Sequence, residues 1–221
     1  DSYFDSYIGG NATANHSPCF SSIYAVCHDY TLRVTSSCTQ PDLSYSNTTP
    51  SVTYGTNGNT YFNNTLANLY SRPVTYSSSD PTIASVATNG TVTINKAGTV
   101  TITASSEESD EYCSGTASYT LTINCPAISA PTVVDGYRCG IGTVNLSATP
   151  GTGTGVSPST CHWYTTESGG SSTYTNTAVT TPIIDAPTTY YVSSYDETSG
   201  CESSTRTPVT ATVYSSTITY S

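Results

Sequence analysis

The sequence predicts an all-β protein, two tandem β-sandwiches with a strand-like tail at each end. Three observations predict it. Val and Ile alternate with Thr and Ser through most of the chain, the period-two pattern of strands with one face in a core and one in water. Turn residues interrupt the alternation at short intervals, and β-branched residues outnumber the Ala, Leu, Glu and Lys that a long helix needs. The length of 221 residues suits two domains of about 90–100 residues each.

Residues 1–38 stand apart. They carry Cys19, Cys27 and Cys38 and two strand-like runs, Asp1 to Ile8 and roughly Ser22 to Thr35. A segment below about 40 residues cannot bury enough surface to fold alone, so this one is expected to dock on a neighbouring domain or on another molecule. In residues 1–8, Ser2, Phe4, Ser6 and Ile8 share one face, and Gly9-Gly10 offers a hinge.

The first domain is expected over 39–124. Leu43-Ser-Tyr and Val52-Thr-Tyr would open it. Three or four short strands follow between Pro73 and Ala104, with turns at Ser79-Asp80-Pro81, Asn89-Gly90 and Ala97-Gly98. Asn-Gly between two alternating runs is a strong hairpin signal, since both residues tolerate positive φ. The closing strand, 117–123, puts Tyr119, Leu121 and Ile123 on one inward face.

The second domain is expected over 125–214. Arg138 to Ala148 opens it, with Val144, Leu146 and Ala148 alternating. His162-Trp-Tyr164, Thr188-Thr-Tyr-Tyr-Val192 and Val209 to Val213 supply further strands. Residues 215–221 form another short alternating run, with Ile218 and Tyr220 on one face. They begin a linker or serve as a strand for a partner.

Two stretches carry a family resemblance. The run Thr75-Tyr-Ser-Ser-Ser, Pro81, Ala84-Ser-Val, Asn89-Gly-Thr-Val-Thr, Ala97-Gly-Thr-Val-Thr-Ile-Thr-Ala104 closely resembles the centre of the bacterial immunoglobulin-like group 2 domain. Arg138-Cys-Gly, Gly142-Thr-Val, Leu146-Ser-Ala, Trp163-Tyr, Thr188-Thr-Tyr-Tyr-Val and Gly200-Cys resemble a second immunoglobulin-like module of secreted Bacteroidetes proteins, across 126–214. Together they cover about four-fifths of the chain. The resemblance implies immunoglobulin-like sandwiches, a secreted or cell-surface location, and a structural rather than catalytic role. It also implies a Cys139–Cys201 bridge beside a buried Trp163, the usual core of such a sandwich.

Composition narrows the partners. Net charge is −10, with one lysine, Lys96, and four arginines, so a polyanion such as nucleic acid or an anionic membrane surface would be repelled. No apolar run is long enough to insert into a membrane. The chain lacks methionine, which suggests a processed or excised start at Asp1. Eight cysteines without a C-x-x-C pair point to an oxidising compartment. Cys113 and Cys125 flank the closing strand of the first domain, and they could bridge to each other or to the linker. That leaves Cys161 with the three N-terminal cysteines. Three cysteines precede residue 39 and five follow it, so full pairing within one chain needs at least one bond across that boundary. Asn11, Asn15, Asn47, Asn63, Asn89 and Asn145 head N-x-S/T sequons and are candidate glycosylation sites.

Catalytic and cofactor motifs are weak. Cys19, Cys27, His28 and Cys38 lack zinc-module spacing. Gly151-Thr-Gly-Thr-Gly155 is followed by no lysine and no expected helix, so it reads as a flexible turn rather than a phosphate loop. Glu107, Glu108, Asp110, Glu111, Asp196 and Glu197 could pair as glycosidase carboxylates, but they fall in loops of small sandwiches. The acidic loop lacks calcium-loop spacing and reads as solvated. Neither metal nor organic cofactor is expected. Tyr61, Tyr70, Tyr76, Tyr174, Tyr190, Tyr191 and Tyr195 could stack sugar rings, or could simply be strand formers.

The function expected from these features is non-catalytic, structural and adhesive. The chain reads as a subunit of a bacterial surface filament, joined head to tail to identical subunits by a donated strand carrying Phe4 and Ile8, or Ile218 and Tyr220. The alternative is a glycan-binding or spacer module pair from a larger secreted adhesin or enzyme.

Overall fold

The computed structural model describes residues 43–55, 60–109 and 111–215. The expected tail strands at Phe4 and Ile8 and at Ile218 and Tyr220, together with Cys19, Cys27, Cys38, Asn11, Asn15 and Asp110, lie outside these residues. The chain divides into two units, Asp1–Ser37 and Cys38–Ser221, and the described residues belong to the second. They hold eighteen strands and no helix, as the alternation of β-branched residues predicts.

The first sandwich is built on one long hairpin. Strands β8 (Gly98–Ser106) and β9 (Gly115–Asn124) pair with Val100 opposite Leu121 and Ile102 opposite Tyr119. Those side chains and Ile123 are buried, so the closing strand turns inward as its alternation predicts. Strand β5 (Thr75–Ser78) extends this sheet beside β8, and β2 (Ser51–Thr53) lies parallel to β9 on its other side. The facing sheet contains β3 (Tyr61–Phe62), β6 (Ala84–Val86) and β7 (Val92–Ile94), in the order β3-β7-β6. The β6–β7 turn is the expected one. Gly90 has φ +84°, and the Asn89 side chain accepts the Thr91 N–H at 3.0 Å. A short pair, β1 (Leu43–Tyr45) and β4 (Leu66–Asn68), closes one side. It brings Tyr45 edge-on to Tyr119, with ring centroids 4.7 Å apart.

In the second sandwich, β10 (Thr132–Val134), β12 (Asn145–Thr149) and β15 (Ala178–Thr180) form one sheet. The other runs β11 (Gly136–Cys139), β18 (Thr207–Tyr214), β16 (Thr188–Asp196), β13 (Thr160–Tyr164) and β14 (Tyr174–Thr175), with β17 (Cys201–Glu202) paired to β16. Val144, Leu146 and Ala148 face Cys161, Trp163, Tyr190, Val192, Val209 and Ala211 across the core. The chain crosses between sheets at Gly136. A Cβ there would stand 2.2 Å from the Asn145 carbonyl oxygen, so only glycine fits. In each sandwich a strand near the start lies parallel to the last one, β2 beside β9 and β11 beside β18.

The two sandwiches touch through backbone. The Ala97 N–H donates to the Ser199 carbonyl at 2.9 Å. Gly55 and Gly155, both at positive φ, approach so closely that a Cβ on Gly155 would fall 2.3 Å from the Gly55 oxygen. The linker after β9 is fastened to the second sandwich. Ser129 accepts from the Ser194 hydroxyl and Pro131 from the Thr207 hydroxyl, each at 2.8 Å.

Candidate functional site

The cysteines correct the expected bridge. Cys125, directly after β9, is bonded to Cys201 at the start of β17, with Cα atoms 5.5 Å apart. Cys139 is an exposed free thiol and Cys161 a buried one. The reason is register. Cys139 lies opposite Tyr214, beyond the Thr188 end of β16, whereas Cys201 lies opposite Asp196 at its other end. Eight strand residues separate those ends, roughly 25 Å, and a disulfide needs Cα atoms within about 7 Å. Cys113 is disulfide-bonded, and since Cys125 is taken by Cys201 a Cys113–Cys125 bridge does not form. The pairing of the N-terminal three lies outside the described residues.

Trp163 is fully buried in the second core, and its indole N–H donates to the Asn176 carbonyl at 2.6 Å. Among the described residues no bridge lies beside it. Cys161, two residues earlier on the same face, occupies that place as a small apolar side chain, its thiol pushed up to about 11 by burial.

On the outer face of β13 and β16 the fold gathers a polar cluster that sequence reading did not single out. Glu202 accepts from the Tyr164 hydroxyl at 2.7 Å and from the Ser193 hydroxyl, and its other oxygen lies 3.3 Å from His162 Nδ1. Tyr195 stacks on the His162 ring at 3.9 Å. The Arg206 guanidinium sits 3.2 Å over the Tyr164 ring and donates to the Thr166 and Gly169 carbonyls. Burial raises the Glu202 carboxyl, but the three donors outweigh it and hold it below its ordinary range. Burial, with Glu202 adjacent, raises Tyr164.

A histidine, a carboxylate and a serine in contact suggest nucleophilic catalysis, but the direction of the bonds is wrong. The Ser193 hydroxyl donates to the carboxylate, not to the imidazole, and it is fully buried. The cluster instead ties β13, β16 and β17 together. Its ionised form contributes stability fully above the ordinary glutamate range, and loses it as pH falls through the depressed folded value. Urea midpoints of the wild type should therefore drop below about pH 4. Glu202→Gln should be less stable at pH 7 and show a flatter acid dependence between pH 3 and 7.

A cleft of about 430 Å³ opens in the first sandwich between Tyr70–Thr75 on one side and Ser105, Glu107, Glu108, Ser109 and Tyr112 on the other. Tyr70 and Tyr112 pack with centroids 4.7 Å apart, and the Arg72 guanidinium lies 5.3 Å from the Tyr112 ring. That guanidinium is already engaged, donating to the Cys113 carbonyl at 2.7 Å and to the Glu107 carbonyl. Glu107, Glu108 and Glu111 are exposed, as a solvated loop requires. Asp196 is buried and accepts backbone N–H groups of Ser157, Thr198 and Ser199, while Glu197 points to solvent, so the two form no catalytic pair. Among the described residues no group of His, Cys, Asp and Glu is placed to hold a metal ion.

The other sequence candidates disperse. Tyr61 and Tyr70 are exposed on the first sandwich, where Tyr76 packs against the core. Tyr190 is buried in the second core and Tyr174 packs on it, which leaves Tyr191 and Tyr195 on a shared outer face. A single tyrosine platform does not form. Gly151 donates to the Ser194 hydroxyl, and Gly153 bridges to Ile128, so the glycine run is packing against the linker. Asn47, Asn63, Asn89 and Asn145 are all exposed. The Asn145 side chain accepts a hydrogen bond from Thr180 at 2.8 Å.

With the fold in view, the chain is a tandem of Ig-like domains. Residues 38–114 are a bacterial Ig-like domain of group 2, and residues 126–214 an Ig-like domain of the CHU_C-associated kind. Such domains are typical of extracellular or surface proteins and are generally non-catalytic. No helix among the described residues is long and apolar enough to cross a membrane. No curated protein matches the chain. Similar solved structures include the fibronectin(III)-like modules of Clostridium thermocellum CbhA, at 14% identity and a TM-score of 0.37, covering 82% of this chain and 97% of that one. Another is a SusE-like surface-located polysaccharide-binding protein from the Bacteroides thetaiotaomicron heparin utilisation locus, at 14% identity and a TM-score of 0.27. That match covers 77% of this chain and 33% of the other. Domains 4 and 5 of the S-layer protein SbsC match at 17% identity and a TM-score of 0.23, over 68% of this chain and 82% of theirs.

Proposed function

We propose that the chain is a non-catalytic extracellular structural protein whose two sandwiches carry tension. The observation behind this reading is the parallel pairing of β2 with β9, followed by the Cys125–Cys201 bond that carries load past residues 126–200 into β17 and β18. In the first sandwich, force applied at the N-terminal end of β2 and the C-terminal end of β9 loads the pair in shear. Parallel neighbours loaded this way slide past each other, so the backbone bonds between them share the load rather than opening one by one. Tyr54 N–H to Asn124, Thr122 N–H to Pro50 and Thr120 N–H to Thr48, at 2.9 to 3.0 Å, belong to that set. Single-molecule pulling tests it. Loaded by handles at Ser51 and Asn124, the first sandwich should resist severalfold more force than when pulled by handles at Thr53 and Asn124, paired residues at one end of the ladder. Equal forces in the two directions would remove the proposal.

The finer part of the reading is that copies join head to tail by a donated strand carrying Phe4 and Ile8, or Ile218 and Tyr220. The open edge at β14 supports it, since it presents unpaired backbone groups among the described residues. Deleting 1–10 or 215–221 should abolish filaments seen by electron microscopy in one of the two cases. Filaments from both truncations would exclude exchange.

A further inference from the structure

We propose that the far end of the second sandwich is a self-association surface, which a second copy of this chain covers and Cys139 can lock covalently. Among the described residues, half of the strongly exposed large apolar side chains gather there. They are Tyr137 at 79% exposure, Ile141 at 68%, Ile183 at 73% and Tyr214 at 55%. The fold explains the clustering. In β11 the inward positions are Gly136, opposite buried Ala211, and Arg138, so Tyr137 and Cys139 point outward. Cys139 is opposite Tyr214, and the Tyr137 and Tyr214 rings lie 6.4 Å apart. Gly142 pairs with Ile184, which brings the neighbouring Ile141 and Ile183 to the same end.

Two features favour a second copy. The apolar area is on the order of 600 Å² per molecule, the upper limit of what a monomer normally exposes. It approaches the roughly 800 Å² that each partner buries in a standard interface. β11 is an edge strand, and a two-fold contact can bring identical edges together. The chain carries net charge −10, and Asp135 and Asp185 border this surface of Tyr, Ile and Cys, so copies repel at low ionic strength. Screening by salt should therefore strengthen the association. An exposed thiol in the middle of that surface is placed to face its own image. With oxidised glutathione as the oxidant, two Cys139 thiols exchange with one glutathione disulfide. The reagent's S–S bond breaks, one S–S bond forms between copies, and two reduced glutathiones leave carrying the two protons.

The test uses the full chain. Sedimentation of the reduced protein at rising concentration should reveal a dimer that persists in Cys139→Ser. Oxidised glutathione should convert the wild type to a dimer whose peptide map contains Cys139 joined to Cys139. The double variant Tyr137→Asp, Ile141→Asp should cut that yield at least tenfold, while iodoacetamide still alkylates Cys139 to completion. Three results would overturn the proposal: a monomer at every concentration, Cys139 capped by glutathione or bonded to a different cysteine, or an equal dimer yield in the charged variant. Loss of filaments on deleting a tail would leave this contact unaffected, which separates it from strand donation.

Discussion

Trp163→Ala should destabilise the second sandwich by about 3–5 kcal/mol, a large share of the roughly 5–15 kcal/mol that holds a domain of this size together. The indole is wholly buried on the inward face of β13, between Leu146 and Ala148 on one sheet and Val192 and Val209 on the other. Its removal opens a cavity that flanking β-branched side chains, stiff at χ1, fill poorly. It also leaves the Asn176 carbonyl without the 2.6 Å hydrogen bond it accepts from the ring. Urea unfolding followed by far-ultraviolet circular dichroism should split into two transitions, with the second sandwich melting early and the first unmoved. Trp163→Phe keeps most of the ring and should recover more than half of the loss. A midpoint shift below 1 kcal/mol for the alanine variant would mean that the core is not centred on this residue.

Cys125→Ala should cost about 2–5 kcal/mol, because the bridge closes a loop of 76 residues and restricts the unfolded chain accordingly. Cys125 itself is exposed, so the substitution opens no cavity of its own and the lost cross-link dominates. The effect should extend beyond stability. The bridge clamps the first residue of the linker onto β17, a few residues from the turn where Ser199 accepts the Ala97 N–H. Amide exchange at Ala97 should accelerate at least tenfold in the variant, while Val100 and Ile102 in the first core keep their protection. A variant as stable as the wild type would place the Cys125–Cys201 bond outside the forces that hold this unit together.

Local rules made most of the fold legible. Alternation at Tyr119, Leu121 and Ile123, and again at Val144, Leu146 and Ala148, correctly assigned the inward faces. Asn89-Gly90 formed the hairpin its φ tolerance allows. What stayed illegible is what depends on distant residues meeting. The family pattern implied Cys139–Cys201, yet sheet order places Cys139 at the outer edge and far end of β16, and the residue that reaches Cys201 comes from the linker. Glu202 lies forty residues from His162. Only the pairing of β13 with β16 and of β16 with β17 unites them, although the shared parity of His162 with Tyr164 and of Ser193 with Tyr195 was a usable signal. The tyrosine platform failed for a related reason. Parity sent Tyr190 inward and Tyr191 outward on the same strand.

The most direct test of a tension-bearing role is the length released when the second sandwich yields under load. With Cys125 bonded to Cys201, the covalent path bypasses everything from 126 to 200, and force passes through the bridge into β17 and β18. β18 is held by β11 on one side and by β16 on the other, so it must slide along both before it frees. Pulled from the ends of the chain, the wild type should release only the slack between Cys201 and Tyr214, about 10 Å, because about 45 Å of chain already spans roughly 35 Å along β16 in the fold. Cys125→Ala should release about 260 Å more in the same step, the length of the unlocked loop. Equal steps in the two proteins, or a second sandwich that extends gradually at low force, would contradict the account.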